Sequence, residues 1–232
     1  NLREPTGMSF DTLAPHYAWV EALFARDRLQ RCRTAMLPRL HAPDRVLIFG
    51  EGNGRFMVEM LRQFPNARLT VVEMSHVMLR QARERLRHAN LENADVSFIE
   101  ADALQWQPEA QTYDLIVTCF FLDCFRKDQL AHLVPVIAQS ATANAWWLVA
   151  DFQIARHGWQ RLRSRIVVAF LYRFFRLMTG ISGSRLVDPA PLLAANGFSR
   201  AHHEEQDHGV LFCSLWRFTQ NFPLAGPNPA AL

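Results

Sequence analysis

The chain has 232 residues, half of them hydrophobic, and a net charge of only +3. That composition supplies one large core, and so weak a basic bias gives no ground for a nucleic-acid-binding surface. The four cysteines, Cys32, Cys119, Cys124 and Cys213, form no CxxC pair, so zinc binding is not expected and buried free thiols in a reducing, cytoplasmic setting are.

A single domain is expected over residues 1–220, followed by a loose, proline-rich tail at 221–232. Leu13, Tyr17, Val20, Leu23 and Phe24 recur at helical spacing, and Pro38 closes the region, so residues 10–40 read as a helical cap. Strands and helices then alternate. Val46 to Phe49 reads as a strand, Phe56 to Phe64 as a helix, and Leu69 to Glu73 as a second strand. Val77 to Ala89 follows as a helix with an arginine-rich outer face. Val96 to Glu100 and Tyr113 to Phe120 read as strands, Gln129 to Ala141 as a helix, and Ala145 to Phe152 as a fifth strand. Such alternation predicts an α/β fold with a parallel sheet covered on both faces.

After the fifth strand the pattern changes. Residues 156–196 read as a helical insert, rich in arginine and aromatic residues up to 180 and ending at Asn196-Gly197. Arg173 and Arg176 interrupt its most apolar part, which is therefore too short and too charged to span a bilayer. Two strands, about 198–205 and 209–218, then form an antiparallel hairpin at one end of the sheet.

The loop after the first strand carries the ligand signal. Gly50, Gly52 and Gly54 alternate with Glu51 and Asn53 and lead into a helix. Glycine is needed where φ is positive or where a ligand approaches backbone. A dinucleotide fingerprint requires a third glycine where Arg55 stands, and no Gly-Lys-Ser/Thr follows to make a phosphate loop. The spacing therefore favours a single nucleoside. Glu73 ends strand two, where a carboxylate can accept both ribose hydroxyls. Asp102 and Ala103 follow strand three, where a carboxylate and an N–H can meet an adenine edge. Met74, Thr118 and Cys119 stand at neighbouring strand ends and complete the expected contact set.

Taken together, Val46 to Gly54, the run Val71-Val72-Glu73-Met74-Ser75, the run Glu100-Ala101-Asp102-Ala103 and Tyr113 to Val117 resemble the motifs of the class I S-adenosylmethionine-dependent methyltransferases, in order and spacing, over roughly residues 10–218. The resemblance implies a Rossmann-like, seven-stranded sheet whose last strand is antiparallel. It also implies S-adenosylmethionine (SAM) as cofactor, with S-adenosylhomocysteine or methylthioadenosine as product. The family usually has an acidic residue where Ile48 stands. Here Glu51 is the nearby acid and can take over a contact to the methionine amino group.

Methyl transfer needs alignment, exclusion of water and, for some acceptors, a proton acceptor. Asp123, set between large apolar residues, is one candidate, with a helix N-cap as its structural alternative. Asp151 at the end of strand five is another. Tyr17 in the cap is a third and can also touch the cofactor; its neighbour His16 is more simply a surface or core residue. The set His202, His203, Glu204, Glu205 and His208 does not converge on a metal, because adjacent strand residues face opposite ways. Residues 156–180 are expected either to cover the acceptor or to pack as an ordinary helix.

The leading expectation is methyl transfer to a small-molecule acceptor by a monomer or homodimer, without nucleic acid. Two alternatives remain beside it. One is SAM chemistry of another kind, aminocarboxypropyl transfer or cyclisation, which leaves methylthioadenosine. The other is a SAM-binding module without catalysis.

Overall fold

The computed structural model describes residues 26–155, 158–165 and 186–219. Seven strands form one sheet: β1 (Arg45–Phe49), β2 (Arg68–Glu73), β3 (Val96–Glu100), β4 (Tyr113–Cys119), β5 (Ala141–Phe152), β6 (Phe198–Gln206) and β7 (Leu211–Phe218), in the order β3-β2-β1-β4-β5-β7-β6. The first five are parallel, and β7 runs antiparallel to both β5 and β6. This is the seven-stranded sheet with an antiparallel last strand that the sequence motifs implied.

The helices are α1 (Arg26–Thr34), α2 (Arg55–Gln63), α3 (His76–His88), α4 (Lys127–Ala138) and α5 (Ala190–Ala195). Residues 158–165 are also helical. Strand β1 shows why both faces must be covered. Its residues Val46, Leu47, Ile48 and Phe49 are all buried, and alternation sends them to opposite layers. Val46 and Ile48 join Cys32, Phe56, Met57, Leu79 and Ala82 on the α1–α2–α3 side. Leu47 and Phe49 join Leu130, Val134, Trp147 and Leu193 on the α4–α5 side.

Several boundaries differ from expectation for local reasons. Helix α4 begins at Lys127, two residues early, because the Gln129 side chain accepts from the Arg126 N–H at 3.0 Å and fixes the first turn there. It ends at Ala138, and β5 begins at Ala141 rather than Ala145. Ser140 O accepts from the N–H groups of Thr112 and Tyr113, and Tyr113 then pairs with Ala141. The extension carries a left-handed residue, Asn144 (φ 69°), and the register shifts between Tyr113 and Leu115. The expected cap is helical over α1, with a single turn at Leu37–Arg39 behind it. Residues 10–25, including His16 and Tyr17, lie outside the described residues. So do most of the expected insert and the tail. No helix of the described residues is long and apolar enough to cross a membrane.

Hairpin β6–β7 turns through Asp207, His208 and Gly209, all with positive φ. Strand β6 is the sheet edge, and most of it, including His202 to Glu205, is exposed. Among the described residues no three His, Cys, Asp or Glu side chains gather to hold a metal. All four cysteines are free thiols.

Candidate active site

In a parallel sheet of this kind the order reverses between β1 and β4, and the crevice beyond the strand ends at that point is where ligands bind. Gly50 follows β1 and Cys119 ends β4. Between them lies a small open cleft lined by Gly50, Glu51, Phe56, Arg33, Cys119 and Phe120.

The three glycines have separate reasons. All have positive φ, 64° at Gly50, 65° at Gly52 and 86° at Gly54. A Cβ on Gly50 would stand 2.5 Å from the Phe121 ring, and one on Gly54 would stand 2.8 Å from the Ala82 Cα of α3. Gly54 thus provides the close helix packing that a dinucleotide fold assigns to a later glycine. Among the described residues a Cβ on Gly52 would meet nothing within 4 Å. Gly52 therefore faces open space at the strand ends, where a ligand can approach the backbone.

Glu73 holds this loop. Its carboxylate accepts from the Gly52 N–H and the Ser75 N–H, each at 3.0 Å. Asp102 accepts from the Leu104 N–H at 2.9 Å and from the Gln105 side chain at 3.2 Å, which fixes the turn after β3. Met74 and Leu104 are among the exposed large apolar side chains; they stand beside these two carboxylates and leave apolar surface open there. Ala103 is buried and joins the α4–α5 core layer. Asn53 is mostly buried, and its carbonyl accepts from Arg85 Nε of α3 at 2.8 Å.

Glu51 points inward. One carboxylate oxygen accepts from the N–H groups of Phe56 and Met57, both at 3.0 Å, and so caps α2, whose N-cap residue Gly54 has no side chain to do it. Burial pushes its pKa up to about 7, against the pull of those N–H groups and of the Arg33 charge. The other oxygen takes no hydrogen bond from the described residues.

Arg33 escaped the sequence reading. It stands in the last turn of α1, is only 6% exposed, and lays its guanidinium over the Phe120 ring at 5.3 Å. Among the described residues its Nε has no hydrogen-bond partner. Leu29, Cys32 and Met36 mark the inner face of this stretch. Arg33, four residues after Leu29, shares that face, and this spacing was the available signal. Phe120 itself has φ 53°, a left-handed conformation that is costly for an aromatic residue and that clusters at functional sites.

The structure joins the two aspartates. Asp123 lies in a single helical turn, Leu122–Cys124, and its N–H donates to Asp151 Oδ2 at 3.1 Å. Asp151 is buried at the end of β5, and its other oxygen accepts from the Phe152 N–H at 2.8 Å. The two carboxyl groups also hydrogen-bond each other, and burial raises both above the usual carboxylate range. The N-cap alternative for Asp123 is corrected: Arg126 occupies the N-cap position of α4. Thr118 stands at the end of β4. It is fully buried, and its hydroxyl accepts from Trp147 Nε1 at 2.9 Å, so its side chain belongs to the core. Cys119, one residue on, faces the opposite side and lines the cavity.

Residues 46–142 match the family model described as a methyltransferase domain. Over 96 residues the chain is 36% identical to a trans-aconitate 2-methyltransferase of Afipia carboxidovorans, a match covering 41% of this chain and 34% of that protein. It is 29% identical over 93 residues to a malonyl-[acyl-carrier protein] O-methyltransferase of a Paenibacillus species, covering 38% and 33%. The matched segment thus spans about a third of the length of these curated relatives. Among solved structures, the mitomycin 7-O-methyltransferase MmcR superposes with a TM-score of 0.67 at 20% identity, covering 92% of this chain and 62% of that one. The 1,6-didemethyltoxoflavin-N1-methyltransferase of Burkholderia thailandensis, solved with S-adenosylhomocysteine, gives 0.63 at 16% identity, covering 90% and 86%. At these identities the structures establish a shared fold.

Proposed function

We propose, taking residues 46–142 as a domain of the methyltransferase family carried on the class I fold, that this chain binds SAM and directs its methyl group to a small-molecule acceptor. The observation that carries the reading is the Gly52–Glu73 arrangement: a glycine open to a ligand, with its N–H held by a carboxylate at the next strand end. The residues fit the cofactor. Glu73 would take the ribose hydroxyls, Asp102 and the Ala103 N–H the adenine edge, and Met74 its face, while Gly50 to Gly54 lie along the nucleoside and Cys119 lines the cavity. When bound, SAM supplies an electrophilic methyl group on a sulfonium whose thioether is the leaving group.

The chain's own work is then to orient the acceptor, exclude water and receive a proton. Asp123 and Asp151 stand at the ends of neighbouring strands, at the same edge of the sheet as the glycine loop. A carboxylate of this pair, its affinity for a proton raised by burial, accepts the proton of an acceptor O–H or N–H. Tyr17 remains part of the proposal as a cap residue over the cofactor. A small acceptor fits better than RNA, given a net charge of only +3.

Calorimetry with S-adenosylhomocysteine tests the cofactor site. Glu73→Ala and Asp102→Ala are each expected to weaken binding by about 1–3 kcal/mol, roughly 5- to 150-fold. Unchanged affinity in both would place the nucleoside elsewhere. Turnover with SAM and a fractionated small-molecule extract is expected to release S-adenosylhomocysteine. Stoichiometric methylthioadenosine would overturn methyl transfer in favour of aminocarboxypropyl chemistry.

A further inference from the structure

Between Asp151 and Asp188 the chain holds seven arginines and no acidic residue. Its net charge is only +3, so everything outside that stretch is net negative. The same stretch contains the run Ile166 to Met178, in which Arg173 and Arg176 are the sole charged residues. Cations and apolar side chains are thus concentrated in one place, directly after β5.

The helical residues 158–165 show which way this stretch begins to face. Ser164 is fully buried. Its hydroxyl accepts from the Ala155 N–H and donates to Arg161 O, both at 3.0 Å. Arg163 reaches Asp207 at 3.3 Å. These bonds fix the rotation of the helix. At about 3.6 residues per turn, Trp159 and Leu162 fall on the side opposite Ser164, and they are 66% and 64% exposed. Arg161 and Arg165 are exposed beside them and make no ion pair among the described residues. A surface helix ordinarily turns its apolar residues inward and its polar ones outward. Here a serine is inside, and a tryptophan and a leucine are outside.

The charge decides what covers such a face. A second copy of the chain, meeting it symmetrically, would set arginine against arginine. A nucleic acid would match the cations and leave the aliphatic residues without a partner, since bases stack on aromatic rings and phosphates seek donors. An anionic bilayer answers both: its phosphates take the guanidinium groups, and its headgroup boundary takes tryptophan and leucine. We infer that Trp159 and Leu162, flanked by Arg161 and Arg165, dock this chain on an anionic lipid bilayer. The docking is peripheral, with the apolar pair entering the headgroup region and the arginines meeting lipid phosphate.

Flotation of the full chain with lipid vesicles tests it. Vesicles of phosphatidylcholine with about one-third phosphatidylglycerol are expected to carry the chain, and vesicles of phosphatidylcholine alone are not. Raising salt from about 0.1 M to about 0.5 M is expected to weaken the binding severalfold. Trp159→Ser with Leu162→Ser is expected to lower vesicle affinity about 10-fold or more. Arg161→Gln with Arg165→Gln is expected to lower it about 10- to 30-fold. All four side chains are exposed, so both variants are expected to keep the wild-type melting temperature. If the apolar pair proves necessary for folding, the arginine pair decides alone. Arg80→Gln with Arg87→Gln removes two exposed arginines from α3 and is expected to bind as the wild type does. An equal loss in that control would reduce the effect to net charge. Absence of flotation with anionic vesicles, equal flotation with both kinds, or undiminished flotation of both site variants would each remove the bilayer from this face. A salt-sensitive complex with a single-stranded RNA oligonucleotide, without vesicle binding, would give the cations to nucleic acid. A dimer in sedimentation velocity that the serine variant dissolves would give the face to a second copy. Each of these results overturns the docking.

Discussion

Gly50, Gly52 and Gly54 share a sign of φ and differ in what surrounds them, so alanine at each should give a graded response. Gly54→Ala meets the backbone of α3 at Ala82, which cannot move without the helix. Gly50→Ala meets the edge of Phe121, a side chain that can rotate. Gly52→Ala meets nothing within 4 Å among the described residues and carries only the left-handed penalty of about 1 kcal/mol. Chemical denaturation is expected to rank the losses Gly54 above Gly50 above Gly52. Ligand affinity is expected to suffer from Gly52→Ala out of proportion to its stability cost. An equal loss of stability at all three positions would mean that φ alone decides. At this scale the sequence was informative where a residue type is rare for a physical reason, as with glycine at alternate positions or an acid at a strand end. It was silent on Arg33. The segment Arg26–Thr34 holds four arginines that look alike, and only packing against Phe120 turns one of them inward. The burial of the Thr118 side chain was equally hidden. Its position at a strand end was right, but strand alternation gave its hydroxyl to Trp147.

Among the elements, the β6–β7 turn has the widest reach. Asp207 accepts from Arg28 of α1 at 2.7 Å and from Arg163 of the 158–165 helix at 3.3 Å. Two segments distant in sequence, one of them carrying Arg33, are thereby fastened to one turn. Asp207→Asn tolerates the left-handed φ of 46° and removes the charge. It is expected to lower stability by about 1 kcal/mol, a few degrees in Tm, while amide exchange in 158–165 speeds up markedly. Unaltered exchange there would show that the ion pairs are incidental. The elements were legible to within a few residues wherever apolar periodicity was strong, as in β1, β2, β3 and α3. The early start of β5 was not. It depends on Ser140 O receiving two N–H groups from Thr112 and Tyr113 at the start of β4, a tertiary contact that no local pattern announces.

Taken whole, the molecule buries acids that prefer to be neutral. For Glu51 the folded value of about 7 lies above the ordinary carboxylate value of 4.5, so the folded chain keeps a proton that the unfolded chain releases. The sign follows: stability is fully present below about pH 4.5 and is lost as pH rises to about 7. Asp123 and Asp151 act in the same direction. The ligand-free chain is therefore expected to lose stability between pH 5 and 8. Glu51→Gln, which can still cap α2, should recover up to about 3 kcal/mol of that loss. Melting curves across this range check it, and a variant no less pH-sensitive than the wild type would exclude Glu51 as the source. The global topology was legible because β-α alternation leaves few ways to wind a parallel sheet, and the hairpin pattern of residues 198–218 marked where winding stops. That last hairpin has a further consequence. Strand β7, the final strand in sequence, is inserted between β5 and β6 rather than laid on an edge. During synthesis, β5 must wait with one side unpaired until nearly seventy residues more have emerged, an estimate from chain order. The sheet is completed only at its last strand, so the nascent chain passes through a stage in which its middle is exposed and depends on its own tail, or on a chaperone, for protection.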